Sequence, residues 1–289
     1  MKLRRPPWFA AVMLGWSIAC AGQTAKNEVK TFRLRSTLMA REMPYQVILP
    51  ADYENHNETA RYPVIYLLHG LDNHYNDWTR STKVAEYAAQ HNFLIVTPEG
   101  GNGWYTDSVT VEKDQYESYI IKELIPEVDR NFRTIADRDH RVMAGFSMGG
   151  YGAVKFGLKY PAMFTLIGSF SGALGATSFN EKNAGEVIGT ALTAIFGPEG
   201  SASRNGNDIF ALLKAVTPGE IKKEPFIFQS CGTEDFLFLN NRDFQTLLLQ
   251  KKIPHEYRER PGTHDWAFWD DQIREFLFVA DRRVQKAKN

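Results

Sequence analysis

From about residue 60 onward, short unbroken apolar runs alternate with stretches whose apolar residues recur at helical spacing. Pro63-Val64-Ile65-Tyr66-Leu67-Leu68 and Phe93-Leu94-Ile95-Val96-Thr97-Pro98 are the first two runs. Residues 140–146, 164–169 and 225–230 continue the series, and 255–258 forms a last, more polar segment. Runs of this length without polar alternation predict strands buried on both faces of a parallel sheet. Between them, residues 84–91, 237–249 and 266–279 read as helices, and a further helix starts near Gly150. Residues 116–132 carry Ile120, Ile121, Leu124, Ile125 and Val128 on one stripe. Pro126 is expected to kink that helix or end its regular part. Residues 31–39 and 45–49 look like an antiparallel pair at the start. Strands alternating with helices predict a doubly wound, mostly parallel α/β sheet, whose ligands bind at the carboxyl ends of the strands. Residues 173–222 break the alternation. They are expected to form a small insertion over the strand ends, with two short helices.

The amino terminus does not fit this pattern. Lys2, Arg4 and Arg5 precede an apolar run over residues 8–19, and Ala19-Cys20-Ala21 follows. This is the layout of a secretory signal peptide, here residues 1–21, with one domain over 22–289. A membrane anchor needs about 20 apolar residues, more than this run supplies. A lipoprotein signal with a lipid anchor on Cys20 is the alternative, but Ser17 stands where such signals usually carry leucine. The expected location is therefore periplasmic or secreted. With the leader removed, Cys231 is the remaining cysteine, so no internal disulfide is expected. Its place at the end of an apolar run suits a small buried hydrophobe.

Composition narrows the function. The 289 residues are 43% hydrophobic and 24% charged with formal net charge zero. That is ordinary for a globular protein and leaves no basic excess with which to bind nucleic acid.

Chemistry enters at Gly145-Phe146-Ser147-Met148-Gly149-Gly150, which lies between a predicted strand and a predicted helix. In that context Gly-x-Ser-x-Gly is a nucleophile elbow rather than a glycine-rich surface turn. The tight turn holds Ser147 strained, with its hydroxyl above the sheet and the helix N-terminus beside it. A serine hydroxyl needs a base. In hydrolases with this elbow, the acid and then the histidine follow on loops after later strands. The loop 232–235 offers Asp235 and, next to it, Glu234; Asp235 is preferred because it lies farther from the strand. The loop 261–266 offers His264. Leu68-His69-Gly70-Leu71-Asp72 follows an early strand, and its Leu71 N–H together with that of Met148 is expected to form the oxyanion hole. Trp104, Tyr105 and Trp266 are candidates for the substrate pocket, approached by Phe170, Ser171 and Leu174. His56 and His91 read as surface residues. His69 and His74 match no metal-ligand spacing, so neither a metal nor a cofactor is expected.

Taken together, Tyr66-Leu67-Leu68-His69-Gly70-Leu71, Asp77-Trp78, Pro98-Glu99-Gly100, Gly103-Trp104-Tyr105-Thr106, Glu123-Leu124-Ile125-Pro126, the elbow and Gly262-Thr263-His264-Asp265-Trp266 resemble the esterase D-like branch of the α/β-hydrolase fold. That branch includes tributyrin-type carboxylesterases, feruloyl and acetyl-xylan esterases, S-formylglutathione hydrolases and antigen 85 mycolyltransferases. The resemblance implies a triad on Ser147, Asp235 and His264, oxyanion donors on Leu71 and Met148, and a small-molecule or carbohydrate ester as substrate. It is strongest to the small-ester carboxylesterases. Acyl transfer, and a binding protein built on an inactive scaffold, are the alternative functions.

Overall fold

The computed structural model describes residues 27–54 and 59–286. The leader 1–21, Cys20 and His56 lie outside the described residues. Eight strands form one sheet: β1 (Val29–Ser36), β2 (Arg41–Ile48), β3 (Val64–Leu68), β4 (Leu94–Pro98), β5 (Arg141–Phe146), β6 (Leu166–Phe170), β7 (Phe226–Gly232) and β8 (His255–Arg260). Their spatial order is β1-β2-β4-β3-β5-β6-β7-β8. β1 and β2 are antiparallel, β2 runs antiparallel to β4, and every pair from β4 to β8 is parallel. The chain has the α/β-hydrolase fold, with a doubly wound, mostly parallel sheet.

The central runs are apolar throughout because both faces of the sheet are covered. Alternate residues of β3 divide between two cores. Val64, Tyr66 and Leu68 face one, and Ile65 and Leu67 face the other. Helix Met148–Lys159, the segment around Tyr116–Tyr119 and the β6–β7 connection cover the first face. Helix Val84–Ala88 and the long helix Trp266–Lys286 cover the second. β1, at the edge, instead alternates between half-buried and exposed positions.

Two local readings change. Residues 116–131 stay helical, but Ile120–Leu124 widen into one π-helical turn in which the Ile125 N–H reaches the Ile120 carbonyl. Pro126 lacks an N–H, and its ring would clash with the carbonyl four residues back, so an extra residue in the preceding turn relieves both faults. The β6–β7 connection holds four helices rather than two: Glu181–Ala184, Glu186–Phe196, Ala202–Gly206 and Ile209–Ala215. The last packs on helix Met148–Lys159 and on helix Phe238–Lys251, so it is the regular crossover helix of the sheet. His91, expected at the surface, is buried and its Nδ1 meets the Asp281 carboxylate.

Candidate active site

Chain order reverses between β4 and β5, on either side of β3, so the crevice for a ligand opens where β3 and β5 end. Leu68 and Gly145 are paired across these two strands. Ser147 follows β5 with φ 52° and ψ −119°, outside the ordinary regions for a side-chain-bearing residue. Hydrogen bonds hold this conformation. The Ser147 N–H donates to the Phe170 carbonyl at 3.0 Å, and the Ser147 carbonyl accepts from Ala173 at 3.0 Å and Tyr151 at 3.1 Å. The glycines permit the crossing. A Cβ on Gly145 would stand 2.6 Å from the Gly149 carbonyl oxygen, and one on Gly149 only 2.5 Å from that of Leu68.

The loops after β7 and β8 come to the same end of the sheet. The Glu234 N–H donates to the Gly262 carbonyl at 3.0 Å, and the Gly262 N–H returns a bond to Glu234 Oε2 at 2.5 Å. Asp265 accepts from the Phe268 N–H at 2.9 Å, which caps the long helix and fixes the residue before it. That residue, His264, meets Asp235 Oδ2 through Nδ1 at 2.8 Å and Ser147 Oγ through Nε2 at 2.9 Å. Asp235 is buried, and its other oxygen accepts from the Leu237 N–H at 2.8 Å. Burial disfavours its charge, but the His264 and Leu237 bonds outweigh it and hold the carboxyl below the ordinary range. An ionised Asp235 fixes the Nδ1–H tautomer, leaving Nε2 free to accept the serine proton. The neighbouring Glu234 instead accepts from the Gly262 N–H and ties the two loops together, while His264 Nδ1 is taken by Asp235.

The loop after β3 carries Leu71, which lines the same cleft as Ser147. Residues 69–72 are held against 99–105. His69 is buried; its Nε2 accepts from the Gly100 N–H at 2.8 Å, so Nδ1 holds the proton and donates to the Gly70 carbonyl at 2.8 Å. Asp72 and Asn102 exchange two bonds of 2.8 Å. Met148 opens its helix, where an N–H has no intrahelical acceptor. Among the described residues no backbone acceptor outside regular elements takes either the Leu71 or the Met148 N–H.

The cleft above Ser147 has a volume of about 510 Å³. Its walls are Leu71 and Trp104 on one side and Ala173, Phe179, Ala184 and Ile188 from the β6–β7 connection. Phe236, Leu237, Leu239 and two polar groups, Asn183 and Asn240, complete it. Trp104 takes its expected place. Tyr105 and Trp266 do not. The Tyr105 ring is fully buried, and its hydroxyl donates to the His69 carbonyl at 3.0 Å. Trp266 packs beside Trp78, Phe146 and Trp269 in the core on the opposite face of the sheet. Ala173, rather than Phe170, Ser171 or Leu174, reaches the cleft after β6. The Phe236 ring lies 4.6 Å from that of His264 yet is 78% exposed, and Trp269 meets the imidazole edge-on from 5.0 Å. Sequence reading missed Phe236, Leu239 and Asn241. The last bonds the Gly172 carbonyl at 2.9 Å and receives the Gln229 amide at 3.0 Å. Gln229, a polar residue inside an apolar strand, was the available signal.

The profile of the Putative esterase family matches residues 36–278. The chain belongs to that family. It is similar to an acetyl esterase of Caldicellulosiruptor saccharolyticus, with 30% identity over 82% of this chain and 92% of the relative. Among solved structures, a ferulic acid esterase superposes with TM-score 0.78 at 27% identity, covering 90% of this chain and 99% of the other. A fluorophosphonate-binding serine hydrolase of Staphylococcus aureus superposes with TM-score 0.77 at 28% identity, covering 88% and 98%. This member of the esterase family is a serine carboxylic ester hydrolase.

Proposed function

We propose that the protein is an exported serine carboxylesterase that hydrolyses short-chain acyl or aryl esters through an acyl-enzyme on Ser147. The observation that carries this reading is the unbroken line from Ser147 through His264 to a buried Asp235, with contacts of 2.9 and 2.8 Å, at the floor of an apolar cleft. Ser147 Oγ attacks the ester carbonyl carbon while its proton passes to His264 Nε2. The oxyanion is held by the Leu71 and Met148 N–H groups, the second also at the positive end of its helix. Collapse breaks the bond from the carbonyl carbon to the alcohol oxygen, which leaves with the proton from Nε2. Water, deprotonated by the same nitrogen, then attacks the acyl carbon; its bond to Ser147 Oγ breaks, Oγ takes the proton back from Nε2, and the carboxylic acid leaves.

Among the described residues, no ionisable side chain lines the cleft. That favours neutral acyl and alcohol groups, including carbohydrate-linked esters, over the charged thioesters of glutathione, because a buried charge needs a partner. Acyl transfer to an apolar alcohol is a second reading, favoured by Phe236 and Leu239 standing 78% and 72% exposed at the cleft. The leader 1–21 supports export. A panel of p-nitrophenyl acyl, feruloyl and acetylated-sugar esters, with and without an alcohol acceptor, tests the reading. Hydrolysis of neutral esters with fluorophosphonate labelling of Ser147 is expected. A folded protein that neither labels nor hydrolyses any of them overturns it, and transfer outrunning hydrolysis selects the second reading. An amino terminus still beginning at Met1 after expression in the native host refutes export.

A further inference from the structure

Lys155 lies on the helix that starts behind Ser147, and its side chain is completely buried. A lysine there is costly unless its ammonium is fully partnered. All three of its N–H donors are used: on the Tyr105 carbonyl at 2.6 Å, the Thr106 hydroxyl at 2.7 Å and Glu117 Oε2 at 2.9 Å. The Thr106 hydroxyl in turn donates to the Trp104 carbonyl at 2.9 Å. Trp104 and Tyr105 both have φ of 50°, a pair of left-handed residues that the chain does not adopt without support. Gly152, on the same helix, leaves room for the Tyr105 ring, which a Cβ there would meet at 2.6 Å. The strained pair turns Tyr105 inward and presents Trp104 as a wall of the cleft, braced edge-on by Tyr151 and Phe196.

We propose that Lys155, acting through Thr106, is a positioning residue that fixes Trp104 and so sets the size of acyl or aryl group the cleft accepts. The inference rests on the esterase reading above. Burial pushes the Lys155 ammonium down to about 8, yet Glu117 faces it and keeps it charged at neutral pH, with Lys159 and Asp107 nearby. Glu117 is itself held by Lys159 at 2.6 Å and by the Tyr160 hydroxyl at 2.7 Å, so the clamp has a fixed base. Neither Lys155 nor Thr106 lines the cleft, so they act on substrate choice indirectly, and Trp104 is the wall residue whose carbonyl the Thr106 hydroxyl holds.

The test uses Lys155→Met, which removes the ammonium, and Thr106→Val, which keeps the side-chain shape but removes the hydroxyl joining Lys155 to the Trp104 carbonyl, at the cost of one unpaired ammonium N–H. The readout is the ratio of kcat/KM on p-nitrophenyl hexanoate to that on p-nitrophenyl acetate. Both variants are expected to shift the ratio by about threefold or more, in the direction in which Trp104→Ala shifts it. Thr106→Val placed on top of Trp104→Ala should add nothing, because the residue it positions is gone. A lowered melting temperature with an unchanged ratio in Thr106→Val overturns the proposal, as does an additive shift in the double variant. If Lys155→Met does not fold, the Thr106→Val pair of measurements decides. Absence of hydrolysis in the unsubstituted protein would fault the esterase reading instead, so the two failures are distinguishable.

Discussion

Replacing Asp235 by Asn separates charge and tautomer control from shape. The carboxylate does two things at once: Oδ1 accepts from the Leu237 N–H at 2.8 Å, and Oδ2 accepts from His264 Nδ1 at 2.8 Å. An amide in the same buried place must keep its oxygen on the Leu237 N–H, since a buried unpaired donor costs about 1–3 kcal/mol. That choice turns the NH₂ group toward His264. The imidazole then has to accept at Nδ1 and carry its proton on Nε2, where it can no longer take one from Ser147. The analogous change in a Ser-His-Asp protease lowers kcat about 10⁴-fold by this route, or about 5 kcal/mol of transition-state stabilisation. We expect a loss of the same order in kcat for p-nitrophenyl acetate at pH 7, with the melting temperature little changed because volume and the Leu237 bond are kept. Glu234→Gln is the control. Glu234 is exposed and only joins the two loops through the Gly262 N–H, so a loss below about tenfold is expected. An Asp235→Asn enzyme within tenfold of the unsubstituted rate, or a Glu234→Gln enzyme that is the slower of the two, refutes the assignment.

Other substitutions probe the elbow and the buried charges. Ser147→Ala should abolish fluorophosphonate labelling and the acyl-enzyme while circular dichroism and melting stay unchanged; near-normal turnover would remove Ser147 from the mechanism. Gly149→Ala places a Cβ 2.5 Å from the Leu68 carbonyl, where only backbone movement can relieve it. It should cost about 1–3 kcal/mol in denaturant titration and far more in activity; a variant of full activity would mean the crossing is looser than described. Glu117 is opposed by burial but held down to about 2 by Lys155, Lys159 and Tyr160, against an ordinary 4.5. A depressed carboxyl stabilises the fold above its unfolded value, so stability on the order of 3 kcal/mol should drain away as pH falls from about 4.5 toward 2. Melting curves of Glu117→Gln should show a flatter acid limb, and an identical limb would contradict this.

The succession of strands and helices along the chain and the elbow were legible because long apolar runs and Gly-x-Ser-x-Gly depend on local sequence and on burial of both sheet faces. The acid was legible as a preference for Asp235 over Glu234 from its place in the loop, and the direction of the two side chains, which sequence does not give, is what separates them. Direction also hid the pocket. Trp104 and Tyr105 are neighbours with the same φ, yet one faces the cleft and the other the core. Trp266 is two residues from His264 but belongs to the helix on the far face of the sheet. Such assignments follow from tertiary packing, and no period in the sequence encodes them. The π turn at Ile120–Leu124 was visible only as a proline in the wrong place.

The cleft draws its walls unequally from the chain. Ser147, Asp235, His264 and Leu71 sit on loops that leave strands of the central sheet, whereas Phe179, Asn183, Ala184 and Ile188 come from one stretch between β6 and the crossover helix Ile209–Ala215. That stretch contributes nothing to proton transfer. Its helices pack on one another and, through Phe196, on Trp104 and Tyr151, and Arg204 pins them from within by donating to the Thr177, Phe179 and Gly197 carbonyls. Reaction and selectivity therefore sit on separate lengths of chain: substitutions at Phe179, Asn183, Ala184 or Ile188 change the shape offered to the ester without touching a group that moves a proton.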